Sequence, residues 1–375
     1  MERHRTACIA GAVDAWLANE GGLLGQSVER TVAEGLFPRH DVTFMLEEIR
    51  RTVTGKTLIQ WVDTAVSRTG IKAEASPGQT RKVLCLHAGN LPMVGLQDLL
   101  AVLLSGGAYY GKLTRKDPRL MDGLLRLLQE RLPDQVISWS TNMDDLAGIR
   151  ADNVLFAGSE GSVDAVTRRC RELGLSREYT RFLYRTARFS MALLSSADFN
   201  DAGDLAPDVA GSLAEAILRY DGKGCRSVAV VIAPVTLTEA ASGLQSALMD
   251  FLQQNPSESQ QHPSIRYWSA YLKSVKRAVV RTGPALVTDE PDMAGMERVV
   301  CWIHHPEPVA QAETLASRYG HRLQQVYVTA DTLKEHIRKP VSDGGLRLAP
   351  LEEAQRPPIA WQPDGVDVLQ WLLAE

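Results

Sequence analysis

From about residue 81 onward, short β-rich apolar runs alternate with helical patterns, and this alternation restricts the fold more than any other feature. RKVLCLHA (81–88) reads as a buried strand, LPMVGLQDLLAVLLSG (91–106) as a helix, AYYGKL (108–113) as a strand and PRLMDGLLRLLQERL (118–132) as an amphipathic helix. QVISWS (135–140), DNVLFAGS (152–159) and the helix GSVDAVTRRCRELG (161–174) follow. Strands joined through helices in this order imply a parallel sheet with crossover helices, hence an α/β fold. A second series, FSMALLS (189–195), APDVAGSLAEAILRY (206–220), RSVAVVIAP (226–234), ERVVCWIHH (297–305) and LQQVYVTA (323–330), reads as a second α/β unit. Before residue 75 the pattern is helical, as in DVTFMLEEIRRTV (41–53).

With 375 residues, 45% of them hydrophobic and 23% charged, the chain can bury a large core, which excludes disorder, collagen-like repeats and disulfide scaffolds. The length asks for two domains. A net charge of -4 leaves no general basic field for a phosphate backbone, so no nucleic acid partner is expected. Cys8, Cys85, Cys170, Cys225 and Cys301 are odd in number, widely spaced and free of any C-x-x-C, which argues against a disulfide framework or a structural zinc site and for a reducing cytoplasm. Asp14 interrupts the apolar run of the N-terminus before it forms a signal-peptide core, and no run is long enough to span a membrane. QQNPSESQQHPS (253–264) is polar and reads as a surface loop. The apolar segment VDVLQWLLAE (366–375) reads as a helix that docks on the body.

Three local features carry chemistry. In YDGKGCRSVAVVIAP, Cys225 follows a Gly-rich turn between a helix and a strand, where a thiol can face solvent beside backbone N–H groups, as a nucleophile requires; the plain alternative is a small apolar residue in a turn. Cys85, Cys170 and Cys301 lie inside apolar strands or a helix and read as structural. In HAGNLP (87–92), Asn90 sits at a strand's carboxyl end, placed either to donate its amide to a developing oxyanion or to cap the following helix. In FAGSEGSVDAV (156–166), small residues open a helix N-terminus towards a phosphate, or form a capped turn; G-x-G-x-x-G is absent. Two patterns are rejected. Gly106 to Lys112 has P-loop spacing, but Leu113 replaces the hydroxyl residue and the segment reads as strand. His304 and His305 are neighbours on a strand, pointing to opposite faces, and make a poor metal pair, so no metal site is expected.

HAGNLP, GGAYYGKLTRKDP, FAGSEG and YDGKGC, in this order and at these spacings, resemble the LuxC-like long-chain acyl-CoA reductases of the aldehyde dehydrogenase superfamily. GGLRLAPLEEAQRPPIAWQPDG near the end resembles that family's tail. The resemblance implies an aldehyde dehydrogenase-like fold: a Rossmann-type nucleotide-binding domain over 1–195, with 1–75 helical, a thiol-bearing α/β catalytic domain over 196–345, and a tail, 346–375, that packs back on the body. It implies Cys225 as the catalytic thiol, and the Asn90 amide with the Cys225 N–H as the oxyanion hole. Lys112 falls where a lysine contacts the adenosine ribose, and Gly158 with Ser159 where a loop abuts the pyrophosphate. Arg115 replaces the glutamate that NAD-preferring members place against the ribose hydroxyls. An arginine there, near Lys116, attracts a 2′-phosphate, so the expected cofactor is NADPH.

Aldehyde-oxidising members carry a glutamate before the cysteine, in a stretch comparable to FLYRTARFSM (182–191), which holds no carboxylate. Without a residue to activate hydrolytic water, reduction of a thioester is favoured over oxidation to a free acid. The expected reaction is NADPH-dependent reduction of an acyl thioester through an acyl-cysteine. Acyl-CoA or an acyl carrier or acyl-transfer protein is the expected partner, and self-association into a homo-oligomer is open. The alternatives are a CoA-acylating aldehyde dehydrogenase and a non-catalytic scaffold subunit of the same fold. The basic run YLKSVKRAVVR (271–281) reads either as a solvated helix face or as a contact for CoA phosphates or an acidic carrier protein.

Overall fold

The computed structural model describes residues 2–19, 22–70, 80–257, 262–329 and 348–374. They form two compact units, Met1–Thr186 with Pro357–Glu375, and Ala187–Arg356. The first unit opens with helices α1 (Glu2–Leu17), α2 (Leu23–Ala33), α3 (Arg39–Thr52) and α4 (Gly55–Thr69). Thr54 starts α4 with a reciprocal cap, its hydroxyl accepting from the Thr57 N–H while the Thr57 side chain accepts from the Thr54 N–H.

Next come β1 (Lys82–Leu86), α5 (Leu96–Ser105), β2 (Ala108–Lys112), α6 (Leu120–Arg131), β3 (Ile137–Ser140), β4 (Ala151–Ala157), α7 (Val163–Glu172) and β5 (Ser176–Arg185). The strands stand in the order β3-β2-β1-β4-β5, every pairing parallel. Alternate residues of one strand serve opposite faces. Val83 and Cys85 of β1 face the core shared with α1, α4, α5 and α6, while Leu84 and Leu86 pack with Val154, Phe156 and Cys170. α5 is buried along Leu96–Leu104, as its almost unbroken apolar sequence requires. The chain builds outward from β1 to β3, then returns to set β4 on the other side of β1, so the order reverses between β1 and β4. In open α/β sheets the crevice outside the carboxyl ends of two such strands is where ligands bind.

The second unit comprises β6 (Phe189–Leu193), α8 (Pro207–Leu218), β7 (Val228–Ala233), α9 (Leu237–Gln254), α10 (Pro263–Ser274), β8 (Val279–Arg281), β9 (Leu286–Thr288), β10 (Val299–His304), α11 (Pro308–Tyr319), β11 (Leu323–Val328) and β12 (Leu348–Pro350). The sheet order is β12-β11-β6-β7-β10-β9-β8, parallel except for the β8–β9 pair. Ala192, Val231, Ala233 and Trp302 pack with residues of α8 and α9, and Met191, Leu193, Val230 and Ile232 with those of α11. Among the described residues, no helix is long and apolar enough to cross a membrane.

Several elements differ from the sequence reading. The chain leaves the first unit at Thr186 rather than at 195, because β6 hydrogen-bonds to β7 and β11 of the second sheet. The tail is divided: β12 pairs with β11 in the second unit, whereas the helix α12 (Val368–Leu373) packs on α4 and α5 of the first. Asp367 caps α12 and also accepts the Trp61 indole N–H at 3.0 Å. Burial of Val368, Leu369, Leu372 and Leu373 against that layer stabilises the docked tail by about 1.5–3 kcal/mol per side chain. β5 lay outside the two strand series. The run 271–281 is not one helix face: α10 ends at Ser274, Lys276 has φ +60°, and Val279–Arg281 is strand. Parts of the 253–264 loop and of the 196–345 division lie outside the described residues.

Candidate active site

Three loops leave the carboxyl ends of β1, β4 and β2. Asn90 lies four residues beyond the last residue of β1, Leu86, whose neighbours across the sheet are Phe156 and Lys112. Gly158 and Ser159, two and three positions past Phe156, are the first exposed residues after β4. Lys112 closes β2, half-buried, and burial together with the Arg115 charge pulls its ammonium below the ordinary lysine range. Arg115 and Lys116 are exposed on the loop that follows. Five of the six residues singled out from sequence thus share the carboxyl edge of one sheet, around its point of reversal.

Close packing fixes the loops against one another. A Cβ on Gly89 would lie 2.1 Å from the Thr114 Oγ1, so only glycine lets the β1 loop approach the β2 loop this closely. The Thr114 hydroxyl accepts the Lys116 N–H at 3.2 Å, turning the chain so that Asp117, 1% exposed, accepts the Met93 N–H at 2.6 Å. Met93 has φ +53°, a left-handed conformation that costs a residue with a Cβ roughly 1–2 kcal/mol. Burial raises the Asp117 carboxyl from 3.8 to about 7, against the backbone N–H groups of Met93 and Leu120 that favour its anion. The turn over Leu91–Gly95 delays α5 to Leu96, with Gly95 at its N-cap, so Asn90 does not cap that helix. His87 is buried beneath, its Nε2 2.7 Å from the Tyr109 hydroxyl, and burial lowers it to about 4, leaving the ring neutral at pH 7. At Gly95, a Cβ would stand 2.0 Å from the His87 Nδ1.

The β4 loop is held from the other side. The Gly158 N–H donates to the Arg185 carbonyl at 3.2 Å, and a Cβ there would meet the Phe156 ring at 2.4 Å. Ser159 and Ser162 share a hydrogen bond of 2.5 Å across the turn that opens α7. The donors around the sheet edge suit a phosphorylated nucleotide: two cations on the β2 loop, Arg115 and Lys116, the Lys112 ammonium, and a small-residue turn before a helix.

Cys225 belongs to the second unit. After α8 the chain passes through three consecutive left-handed residues, Tyr220 (φ +57°), Asp221 (φ +56°) and Gly222 (φ +68°). Two carry a Cβ, and such strain persists only where the surroundings enforce it. Here the Asp221 carboxylate accepts the Ser257 hydroxyl at 2.5 Å and pairs with Lys223 at 3.3 Å. Cys225 then occupies a turn closed by the Ser227 N–H on the Gly224 carbonyl at 2.9 Å, half-buried at the amino end of β7. Ser190 ties that turn to β6, its N–H donating to the Ser227 carbonyl at 2.9 Å and its hydroxyl to the Cys225 carbonyl at 3.0 Å. The Tyr327 phenol hydrogen-bonds with Ser190; burial raises its pKa, the Arg226 charge lowers it and the Cys225 thiol raises it. Ser190, buried Arg226 and Tyr327 therefore surround the cysteine turn.

Burial pushes the Cys170 thiol up to about 11, the Cys301 thiol up to about 12 and the Cys85 thiol higher than its ordinary value, so these three stay protonated. The stretch 182–191 runs from the end of β5 into β6. Within it Arg185 forms a buried bidentate pair with Asp98 of α5, Nη1 to Oδ1 at 2.8 Å and Nη2 to Oδ2, and the Thr186 N–H donates to Asp364 at 2.8 Å. Gly106–Lys112 is a helix C-cap followed by strand, as its rejection as a phosphate loop requires.

Sequence reasoning passed over Asp117, Ser190 and Tyr327. For the last two a signal exists, since a polar side chain inside a buried parallel strand must find a partner. Asp117 reaches a backbone N–H 24 residues earlier, which only the loop packing reveals.

The model of one family, acyl-CoA reductase (LuxC), matches residues 63–280. No curated protein matches the chain. Among solved structures, the methylmalonate-semialdehyde dehydrogenase of Oceanimonas doudoroffii superposes with a TM-score of 0.63 at 15% identity, covering 99% of this chain and 84% of its own. The gamma-glutamyl-gamma-aminobutyraldehyde dehydrogenase of Burkholderia cenocepacia J2315 gives 0.62 at 13%, covering 93% and 76%. An indole-3-acetaldehyde dehydrogenase of P. syringae, solved with NAD+, gives 0.57 at 13%, covering 88% and 72%. These likenesses show that the fold is that of the aldehyde dehydrogenases.

Proposed function

Because the chain belongs to the LuxC family of acyl-CoA reductases, oxidoreductases acting on acyl groups, we propose that it reduces an acyl thioester to the aldehyde, with NADPH as reductant and Cys225 as the carrier of the acyl group. The family match spans Asn90, Lys112, Arg115, Gly158, Ser159 and Cys225. The Cys225 thiolate adds to the thioester carbonyl, and the oxyanion so formed accepts a hydrogen bond from the Cys225 N–H; the family resemblance assigns a donor role to the Asn90 amide, and one such donor contributes about 3 kcal/mol to the transition state. Collapse of that adduct expels CoA or a carrier thiol and leaves the acyl group on the Cys225 sulfur. Arg226, buried and next in the chain, brings a positive charge to the surroundings of Tyr327 that Cys225 also shares, a setting that favours a thiolate.

Lys112, Arg115 and the Gly158–Ser159 turn would hold the nucleotide, Lys112 at the adenosine ribose and Arg115 at the 2′-phosphate. When bound, NADPH supplies the hydride that converts the acyl thioester to the aldehyde. The aldehyde then leaves and the Cys225 thiolate is restored. No carboxylate in 182–191 activates a hydrolytic water, which favours reduction over release of a free acid.

The observation that carries this reading is the cysteine turn, a half-buried thiol presented by a left-handed run and anchored through Ser190. The test is incubation with radiolabelled acyl-CoA. A thiol-labile protein adduct is expected in the wild type and absent in Cys225→Ala, which should also fail to oxidise NADPH. An adduct or wild-type turnover in that variant refutes the covalent route.

A further inference from the structure

We propose that the exposed face of α10 docks a small acidic protein that carries its acyl group as a thioester. The proposal rests on the acyl-thioester reading above for what the partner delivers, and on the chemistry of α10 for what it is. α10 buries Ile265, Ser269 and Leu272, and Ile265 and Leu272 join the small core beneath the β8–β9 pair. Its outward positions are Arg266, Tyr267, Ala270, Tyr271, Lys273 and Ser274, all exposed. At 3.6 residues per turn they sort into stripes. Arg266 and Lys273 stand on one flank and Tyr267 and Tyr271 on the other, with the small residues Ala270 and Ser274 between them.

Tyr267 is 63% exposed and Tyr271 49% exposed. Both are braced edge-on by Trp268, with ring centroids 4.9 and 5.9 Å away. Between Pro263 and Arg281 the chain carries Arg266, Lys273, Lys276, Arg277 and Arg281 and no acidic residue. Arg277 pairs with Glu290 at 2.9 Å, whereas Lys273, Lys276 and Arg281 have no ion-pair partner among the described residues. In a chain of net charge -4 this is a local concentration of positive charge.

The composition selects the occupant. Rigid tyrosines beside arginine and lysine are the side chains that anchor protein interfaces, and a small-residue stripe lets a second helix approach closely. A helix lying along it would set carboxylates against Arg266 and Lys273 and its apolar side against the tyrosines. A lipid surface is less well served, because the aliphatic side chains of α10 point inward and leave nothing to enter the acyl-chain region.

The experiment compares the wild type with Arg266→Glu/Lys273→Glu and with Tyr271→Ala, after far-UV circular dichroism has confirmed that each folds. The probes are acyl carrier protein loaded with a palmitoyl group, and palmitoyl-CoA. Binding of fluorescently labelled carrier is followed by anisotropy, and turnover by NADPH oxidation. The charge reversal is expected to raise the Kd for the carrier and lower kcat/KM with the carrier-bound substrate by about tenfold or more, with binding weakened by added salt, while kcat/KM with palmitoyl-CoA is unchanged. Absence of carrier binding to the wild type overturns the proposal, as does an equal loss with palmitoyl-CoA. Wild-type binding to phosphatidylserine vesicles that the variants lose, with carrier binding unaltered, also overturns it and assigns the face to a membrane. If neither substrate is reduced by the wild type while carrier binding still depends on Arg266 and Lys273, the docking surface stands and the reductase reading fails.

Discussion

Asp117 makes a quantitative test of how the Asn90 loop is built. Its carboxyl is 1% exposed, accepts the Met93 N–H through Oδ2 and has no partner at Oδ1 among the described residues. Burial raises it from 3.8 to about 7. The folded chain therefore binds a proton that the unfolded chain has released anywhere between those two values. The resulting stability is fully present below 3.8 and is lost as pH rises through 7. Linkage gives the size: between about pH 5 and about pH 8 this one group withdraws roughly 2.5 kcal/mol from the folding free energy. Asp117→Asn keeps an oxygen for the Met93 N–H and abolishes the titration. Its amide N–H₂ is left without a partner at a cost of about 1–3 kcal/mol, but that cost is the same at every pH. Urea unfolding of both proteins at the two pH values isolates the effect, since all other titrating groups cancel in the difference. The wild type is expected to lose roughly 2.5 kcal/mol relative to the variant on going to the higher pH. Parallel pH profiles, or a gap that opens in the opposite sense, refute the buried, ionisable carboxyl; a carboxyl-carbon NMR titration of Asp117 reads the same pKa directly.

Three further perturbations follow from the same geometry. Arg115→Glu removes a charge-assisted contact and adds a repulsion towards a 2′-phosphate, so the ratio of kcat/KM for NADPH over NADH should fall by about 10- to 100-fold, read from steady-state kinetics with both nucleotides. Asp98→Asn leaves the Arg185 guanidinium buried without its countercharge and should cost about 3–5 kcal/mol in urea unfolding, a loss that a second change, Arg185→Met, partly recovers. Gly95→Ala forces a Cβ to within 2.0 Å of the His87 Nδ1 and should destabilise by about 1–3 kcal/mol. Truncation by His87→Ala in the same chain should relieve it, whereas additive losses in the double variant would show that the clash is not the cause.

Much of the fold was legible because buried parallel strands are written as continuous apolar runs, whatever their neighbours. KVLCL, VAVVIA and VVCWIH announce β1, β7 and β10 without reference to pairing. The helix α5 was legible as a helix but not in its start, because Leu91–Gly95 has an apolar composition yet is held in a turn by a carboxylate 24 residues away. The run from Tyr271 to Arg281 misled for a similar reason. Its basic residues have helical spacing, but the left-handed Lys276 breaks the helix and β8 pairs with β9.

The sequence by itself determined that this is an α/β chain with two strand–helix series. It also singled out Cys225 among the cysteines as the candidate thiol, put Lys112 near the end of a strand, and marked the residues around Asn90 and Gly158 as the ends of strands leading towards helices. These are consequences of local patterning, since periodicity and turn chemistry act over a few residues. Tertiary structure alone decided the order β3-β2-β1-β4-β5, and with it that three loops far apart in sequence meet along one edge. It alone placed Ser190 and Tyr327 around the cysteine turn, joined β12 to the second sheet and docked α12 on the first unit. Strand order, and the side chains that reach across it, are set by pairing free energies between segments tens to hundreds of residues apart, and no local pattern records which partner wins.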